Sequence, residues 1–144
     1  MEYELGKSMD EIQIGDKASH SKTITETDIY NYAGISGDFN PLHVNKEYAM
    51  NTRFKGIIAH GGVATSLLGP ALGMKLPGLG TLFLEERTRF KAPVFPGDTI
   101  TATAEAAAKD EERNILTMKL TWENQRGEVV IEGECKVMPP RKKK

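Results

Sequence analysis

Gly61-Gly62-Val63-Ala64-Thr65-Ser66-Leu67-Leu68-Gly69-Pro70-Ala71-Leu72-Gly73-Met74-Lys75-Leu76 is the most apolar helical stretch of the chain. Val63, Ala64, Leu67, Leu68, Ala71, Leu72 and Met74 cover most of a helical circumference. A helix that is apolar all round is a buried one. Pro70 lies inside it and predicts a kink or a break, because proline removes a backbone donor and crowds the preceding turn.

After Pro77-Gly78 the period changes. Four strand-like runs follow, at about 80–91, 98–109, 113–124 and 127–138. In the last, Val129, Ile131, Gly133, Cys135 and Val137 share one face. Glu128, Glu132, Glu134 and Lys136 share the other, with Val130 the exception. Leu116, Met118, Leu120 and Trp122 repeat the alternation, which marks strands with one buried and one wet face. Pro96-Gly97 and Arg126-Gly127 read as turns.

Before the apolar helix, residues 16–24 read as a strand after an irregular lead-in. Thr25 with Asp28 forms a capping-box start, and Ile29, Tyr32 and Ala33 continue at helical spacing to an end near Gly34–Gly37. Ser36 to Pro41 is dense in turn formers and reads as a loop. Asn45 can cap a second short helix that runs to about Met50. The fold class expected is α+β, a single domain over 1–144. In it an antiparallel meander wraps a central buried helix, so that both bury their apolar faces.

Composition narrows the function. At 144 residues, 39% apolar and 27% charged, the chain can bury one real core. The net charge is −1, and the four charges of Arg141, Lys142, Lys143 and Lys144 leave the remainder at about −5. An acidic body argues against a nucleic-acid surface, which needs a basic field. The basic tail, 139–144, opens on Pro139-Pro140 and is expected to be frayed and solvated. The start, Met1-Glu2-Tyr3-Glu4-Leu5, lacks the basic and apolar regions of a signal peptide, and no apolar run reaches the roughly 20 residues of a membrane span. A lone cysteine suits a reducing cytoplasm. Cys135 falls on the buried strand face, as packing rather than as a nucleophile.

The chain has three histidines, His20, His43 and His60. Two of them sit in Gly- and Pro-rich loops beside helices, where functional groups concentrate. Asp38 and His43 flank Asn40-Pro41, and a turn there can bring carboxylate and imidazole into one pocket as a proton-transfer pair. The alternative is that Asp38 caps a turn and His43 packs. His60-Gly61-Gly62 opens the apolar helix with bare N–H groups, suited to a developing oxyanion. Equally, the glycines can serve close helix–sheet packing. Asp38, His43 and His60 as metal ligands are a third idea, which no HxxxH or CxxC spacing supports. No metal and no cofactor is expected.

The run Tyr32-Ala33-Gly34-Ile35-Ser36-Gly37-Asp38-Phe39-Asn40-Pro41-Leu42-His43, with Ala49, resembles the signature of the MaoC-like (R)-specific enoyl-CoA hydratases. His60-Gly61-Gly62 is similar to the His-Gly that opens that family's helix. Phe90-Lys91-Ala92-Pro93-Val94-Phe95-Pro96-Gly97-Asp98 is similar to its later strand-and-turn motif. The resemblance runs from about Asp16 to Val137. It implies a hot-dog fold and the reversible addition of water to a trans-2-enoyl-CoA, giving the (3R)-3-hydroxyacyl-CoA of fatty acid or polyhydroxyalkanoate metabolism. It implies Asp38 and His43 as the catalytic dyad, Gly61 as the oxyanion donor with Gly62 next to it, and Asn40 as a shaper of the loop. It also implies a homodimer joined sheet edge to sheet edge, with Arg87, Arg89 and Lys91 as contacts for the CoA phosphates. Where relatives carry a serine in the buried helix this chain has Gly69, which bears on the acyl pocket and not on the dyad. Coupled groups share their titration, so the dyad's base is not assigned by spacing. A hot-dog thioesterase and a non-catalytic acyl-CoA-binding module are the alternatives, since fold alone decides nothing between them.

Overall fold

The structure, a computed structural model, describes residues 2–142; Met1, Lys143 and Lys144 lie outside the described residues. Its elements are β1 (Lys17–Thr23), α1 (Glu26–Ser36), α2 (Pro41–Val44), α3 (Lys46–Met50), α4 (Gly61–Thr65), α5 (Leu68–Pro70), β2 (Leu82–Phe90), β3 (Thr99–Asp110), β4 (Ile115–Glu123) and β5 (Val129–Met138). The strands form one antiparallel sheet that wraps the α4–α5 segment, the hot-dog arrangement.

The sheet order is β1-β3-β4-β5-β2. Only β3-β4-β5 is therefore the expected meander, and β2 lies on the outer edge of β5 instead of beside β3. The linker from 91 to 98 explains this. Lys91 and Ala92 still donate to the Val130 carbonyl, extending the β2–β5 ladder. Pro93 and Pro96 then supply no donors. The chain instead crosses the helical layer, where Val94 accepts the Ala59 N–H at 2.7 Å and Gly97 donates to Ile24 at 2.7 Å.

The helical run from Gly61 to Leu76 is segmented. Pro70 lacks the N–H that would bond the Ser66 carbonyl, and its ring crowds that oxygen. The break accordingly falls a turn earlier, at Ser66-Leu67, with the Gly69 N–H reaching Ser66 at 3.2 Å. After α5, Ala71–Lys75 is a π turn closed by the Leu76 N–H on the Ala71 carbonyl. The wider turn rotates Met74 out of the core; it is 73% exposed, contrary to the all-round apolar reading. The other six apolar positions are buried.

Ile100, Ala102, Ala104 and Ala106 line the inner face of β3, and the three small alanines let α5 and the π turn lie close. Leu116, Met118, Leu120 and Trp122 continue the core along β4, with Ile131, Cys135 and Val137 on β5. Val130 is also buried, because the register slips between Trp122 and Glu123 where the β5 pairing begins.

Residues 139–142 of the tail differ from the expected frayed end, and Lys143 and Lys144 lie outside the described residues. Pro139 and Pro140 are buried, Asn114 donates to the Pro139 carbonyl at 2.9 Å, and Lys142 pairs with Glu11 at 2.7 Å. The hydrogen bond from Lys142, with those from Ser8, holds the Glu11 carboxyl down at about 2. Among the described residues no helix is long and apolar enough to cross a membrane.

Candidate active site

The loop bearing Asp38 is built by caps. Thr25 and Asp28 exchange the reciprocal hydrogen bonds of a capping box, at 3.1 and 2.9 Å, and fix the start of α1. Gly37, at φ +79°, ends α1 in a left-handed cap that a β-carbon would strain. Asp38 Oδ1 accepts the Asn40 N–H at 3.2 Å. Asn40 in turn accepts the Leu42 N–H at 3.0 Å and, with Pro41 following, starts α2 inside the segment expected to be loop. That single extra turn carries His43 back toward Asp38.

The histidines converge on this loop. His43 Nδ1 lies 2.6 Å from the Ile58 carbonyl, and His60 Nε2 lies 2.9 Å from the Asp38 carbonyl. A carbonyl only accepts, so each of these nitrogens carries its proton. Neutral His43 then presents its lone pair at Nε2, and His60 at Nδ1. The two rings stack with centroids 3.9 Å apart and planes 27° apart. Tyr32 covers another side of His60, with centroids 4.8 Å apart. Ligating atoms of Asp38, His43 and His60 all lie within 4.8 Å of one another. His20 sits apart, on β1.

Stacked rings keep their in-plane lone pairs in planes only 27° apart, whereas one ion about 2.0–2.1 Å from each nitrogen must lie in both planes at once. The cluster suits proton transfer better than metal ligation.

A cleft of about 320 Å³ opens beside the cluster, with His43, His60, Gly61, Ala64, Phe90 and Lys91 among its lining residues. Both glycines also allow close packing. A β-carbon on Gly61 would lie 2.5 Å from the Phe90 ring, and one on Gly62 would lie 1.9 Å from the Tyr32 hydroxyl. Close packing and a bare N–H are therefore both features of this turn. Since α4 spans only Gly61–Thr65, its macrodipole is small, and the first-turn N–H groups themselves are the donors on offer.

Arg87 and Arg89 of β2 and Lys91 just after it are not brought together at the cleft. Arg87 pairs with Glu134 at 2.6 Å and shares an outer-face groove with Arg89, away from the histidines. Lys91 lines the cleft and pairs with Glu132 at 3.4 Å. Arg53, which sequence reasoning missed, joins Lys91 there, its guanidinium 4.7 Å over the Phe54 ring. Its signal was an Arg-Phe step in the turn-rich stretch just before His60. Burial pushes the Cys135 thiol up to about 12, an inert core group.

A sheet wrapped on a buried helix, with an aspartate–histidine cluster at the helix entrance, defines a MaoC-like domain, and residues 10–126 match that domain family. The chain belongs to the MaoC-like domain family. It is 45% identical to an (R)-specific enoyl-CoA hydratase of Rhodospirillum rubrum, over 91% of this chain and 90% of the relative. It superposes on the unliganded R-hydratase PhaJ1 of Pseudomonas aeruginosa with a TM-score of 0.90 at 36% identity, covering 95% of this chain and 88% of that one. An (R)-hydratase from A. caviae involved in PHA biosynthesis gives 0.87 at 37% identity, over 90% and 98%.

Proposed function

We propose that this protein is an (R)-specific enoyl-CoA hydratase, a hydro-lyase that reversibly adds water to a trans-2-enoyl-CoA to give the (3R)-3-hydroxyacyl-CoA. The observation that carries this is the convergence of the Asp38 carboxylate and His43, with Nε2 left as a proton acceptor, beside a cleft lined by Gly61. The full-length similarity to the two named R-hydratases supports the reaction class.

The chemistry follows from those groups. The thioester oxygen takes the Gly61 N–H, which draws electron density from C3. Asp38 and His43 hold a water, and His43 Nε2 removes its proton as the hydroxyl bonds to C3. The π pair moves into the enolate, whose oxygen charge the same N–H stabilises. A proton then passes from the dyad to C2 on the same face, so hydroxyl and hydrogen both come from the water. Asn40 keeps the dyad in register by fixing both Asp38 and the start of α2.

A homodimer fits the edge of the sheet. Leu82, Phe83, Leu84 and Phe90 on the edge strand β2 are 62%, 49%, 47% and 57% exposed, an apolar edge that soluble proteins pair or cover. Lys91 and Arg53 at the cleft are better placed than Arg87 and Arg89 to meet CoA phosphates. The free, buried thiol of Cys135 fits a cytoplasmic setting. The product is suited to fatty acid or polyhydroxyalkanoate metabolism, in line with the A. caviae hydratase.

The test is to mix the protein with crotonyl-CoA and follow both the absorbance of the conjugated enoyl thioester and the appearance of free thiol. Loss of absorbance with no thiol is the expected result. Thiol release at the same rate would make it a thioesterase, and neither signal would make it a binding module.

A further inference from the structure

We infer that His60 is a positioning residue that holds both members of the dyad at once; this rests on Asp38 and His43 being that dyad. One imidazole performs two tasks here. Its Nε2–H donates to the Asp38 carbonyl at 2.9 Å, tying the loop of the carboxylate to the entrance of α4. Its ring face lies against His43 at 3.9 Å, fixing the plane in which His43 Nε2 points. Because His60 directly precedes Gly61, the same residue sets the spacing between dyad and oxyanion donor.

Three observations separate this from ordinary packing. His60 is only 3% exposed, yet its Nδ1 has no hydrogen-bond partner among the described residues. An unpaired buried acceptor carries a desolvation cost that a phenylalanine or leucine in the same space would avoid. The ring is also backed by Tyr32, and Tyr32 in turn occupies the space that a β-carbon on Gly62 would need. The sequence thus gives up a side chain at 62 to hold Tyr32 against His60, and His60 against His43. Finally, His43 has its own backbone anchor at Ile58, so His60 is not needed to keep its tautomer. What His60 adds is the plane of the ring and its distance from Asp38.

Two near-isosteric variants divide the tasks. His60→Phe keeps the aromatic face and loses the donor to Asp38. His60→Gln keeps an N–H at the Nε2 position and loses the face. His60→Leu loses both. With crotonyl-CoA, His60→Leu should lower kcat by about 10²-fold, the scale of a reacting group misplaced by about 1 Å, while KM stays within about threefold. Phe and Gln should each recover part of that loss. In a background carrying both Asp38→Asn and His43→Asn, His60→Leu should cost nothing further, because the residue acts through the two members of the dyad.

Thermal melts identify which variants fold; if the Leu variant does not, the Phe and Gln variants carry the test. Wild-type kcat in the folded Phe and Gln variants would overturn the inference. So would a loss that falls on KM, or an additive loss on top of the Asp38→Asn, His43→Asn double variant. Full activity in Asp38→Asn alone would instead overturn the dyad, a failure distinct from that of His60.

Discussion

The Nδ1 of His43 lies 2.6 Å from the carbonyl oxygen of Ile58, which fixes where that imidazole keeps its lone pair. With Nδ1 protonated, Nε2 is the only ring atom able to take a proton. Replacement by asparagine offers a direct check, since its amide N–H can still reach Ile58 but no base remains. His43→Asn and Asp38→Asn should fold and lose at least about 10²–10⁴ in kcat, the usual worth of general acid–base catalysis. A folded His43→Asn that hydrates crotonyl-CoA at the wild-type rate would remove His43 from the reaction.

Variants at Gly61 test the proposed backbone donor apart from the proposed dyad. Gly61→Ala keeps the N–H but drives a β-carbon to within 2.5 Å of the Phe90 ring. Phe90 is 57% exposed, so it can swing away, and a modest loss is expected that Phe90→Ala restores. Gly61→Pro removes the N–H at a first-turn position that tolerates proline. It should lose about 10²–10³ in kcat, with KM little changed, because charge on the thioester oxygen grows in the transition state. Wild-type turnover by a folded Gly61→Pro would move the donor to Gly62.

Cys135 should be chemically silent. Burial among core residues, with Glu86 and Glu134 adding like charge, holds its thiol at about 12. At pH 8 almost no thiolate forms, so an aromatic disulfide reagent should react only on unfolding. Cys135→Ala should hydrate crotonyl-CoA as wild type does. Rapid native-state labelling would contradict the burial.

The apolar edge of β2 predicts a homodimer of about twice 15.9 kDa by sedimentation equilibrium. Lysines at Phe83 and Leu84 should weaken that association before they disturb the fold, because both positions lie on the sheet edge. A fully active wild-type monomer would contradict it.

Much of this was legible in the chain, and the exceptions have physical causes. Thr25 and Asp28 marked the start of α1 because capping is local chemistry. Of the four later strands, β4 and β5 were the most readable because they alternate buried and wet positions, whereas β2 is exposed along nearly all its length. The position of β2 beyond β5 was not, since strand order depends on where a proline-rich linker finds partners, here Ala59 and Ile24. Met74 was misplaced because a π turn changes the period without a sequence mark. The nearness of Asp38 and His43 could be read from the turn between them. The His43–His60 stack could not, because it joins segments whose spacing is set only by the folded loops. Docking of the tail on Glu11 and Asn114 is likewise a contact between distant parts of the chain.

The stereochemistry of the product tests the central claim most directly. Crotonyl-CoA should be converted by the wild-type protein to 3-hydroxybutyryl-CoA, and a dehydrogenase specific for the (3R) isomer should oxidise all of it. Asp38→Asn, folded by circular dichroism, should form that product at least about 10²-fold more slowly. A (3S) product, free CoA in place of a hydroxyacyl thioester, or an undiminished rate in Asp38→Asn would contradict hydration through the Asp38–His43 dyad.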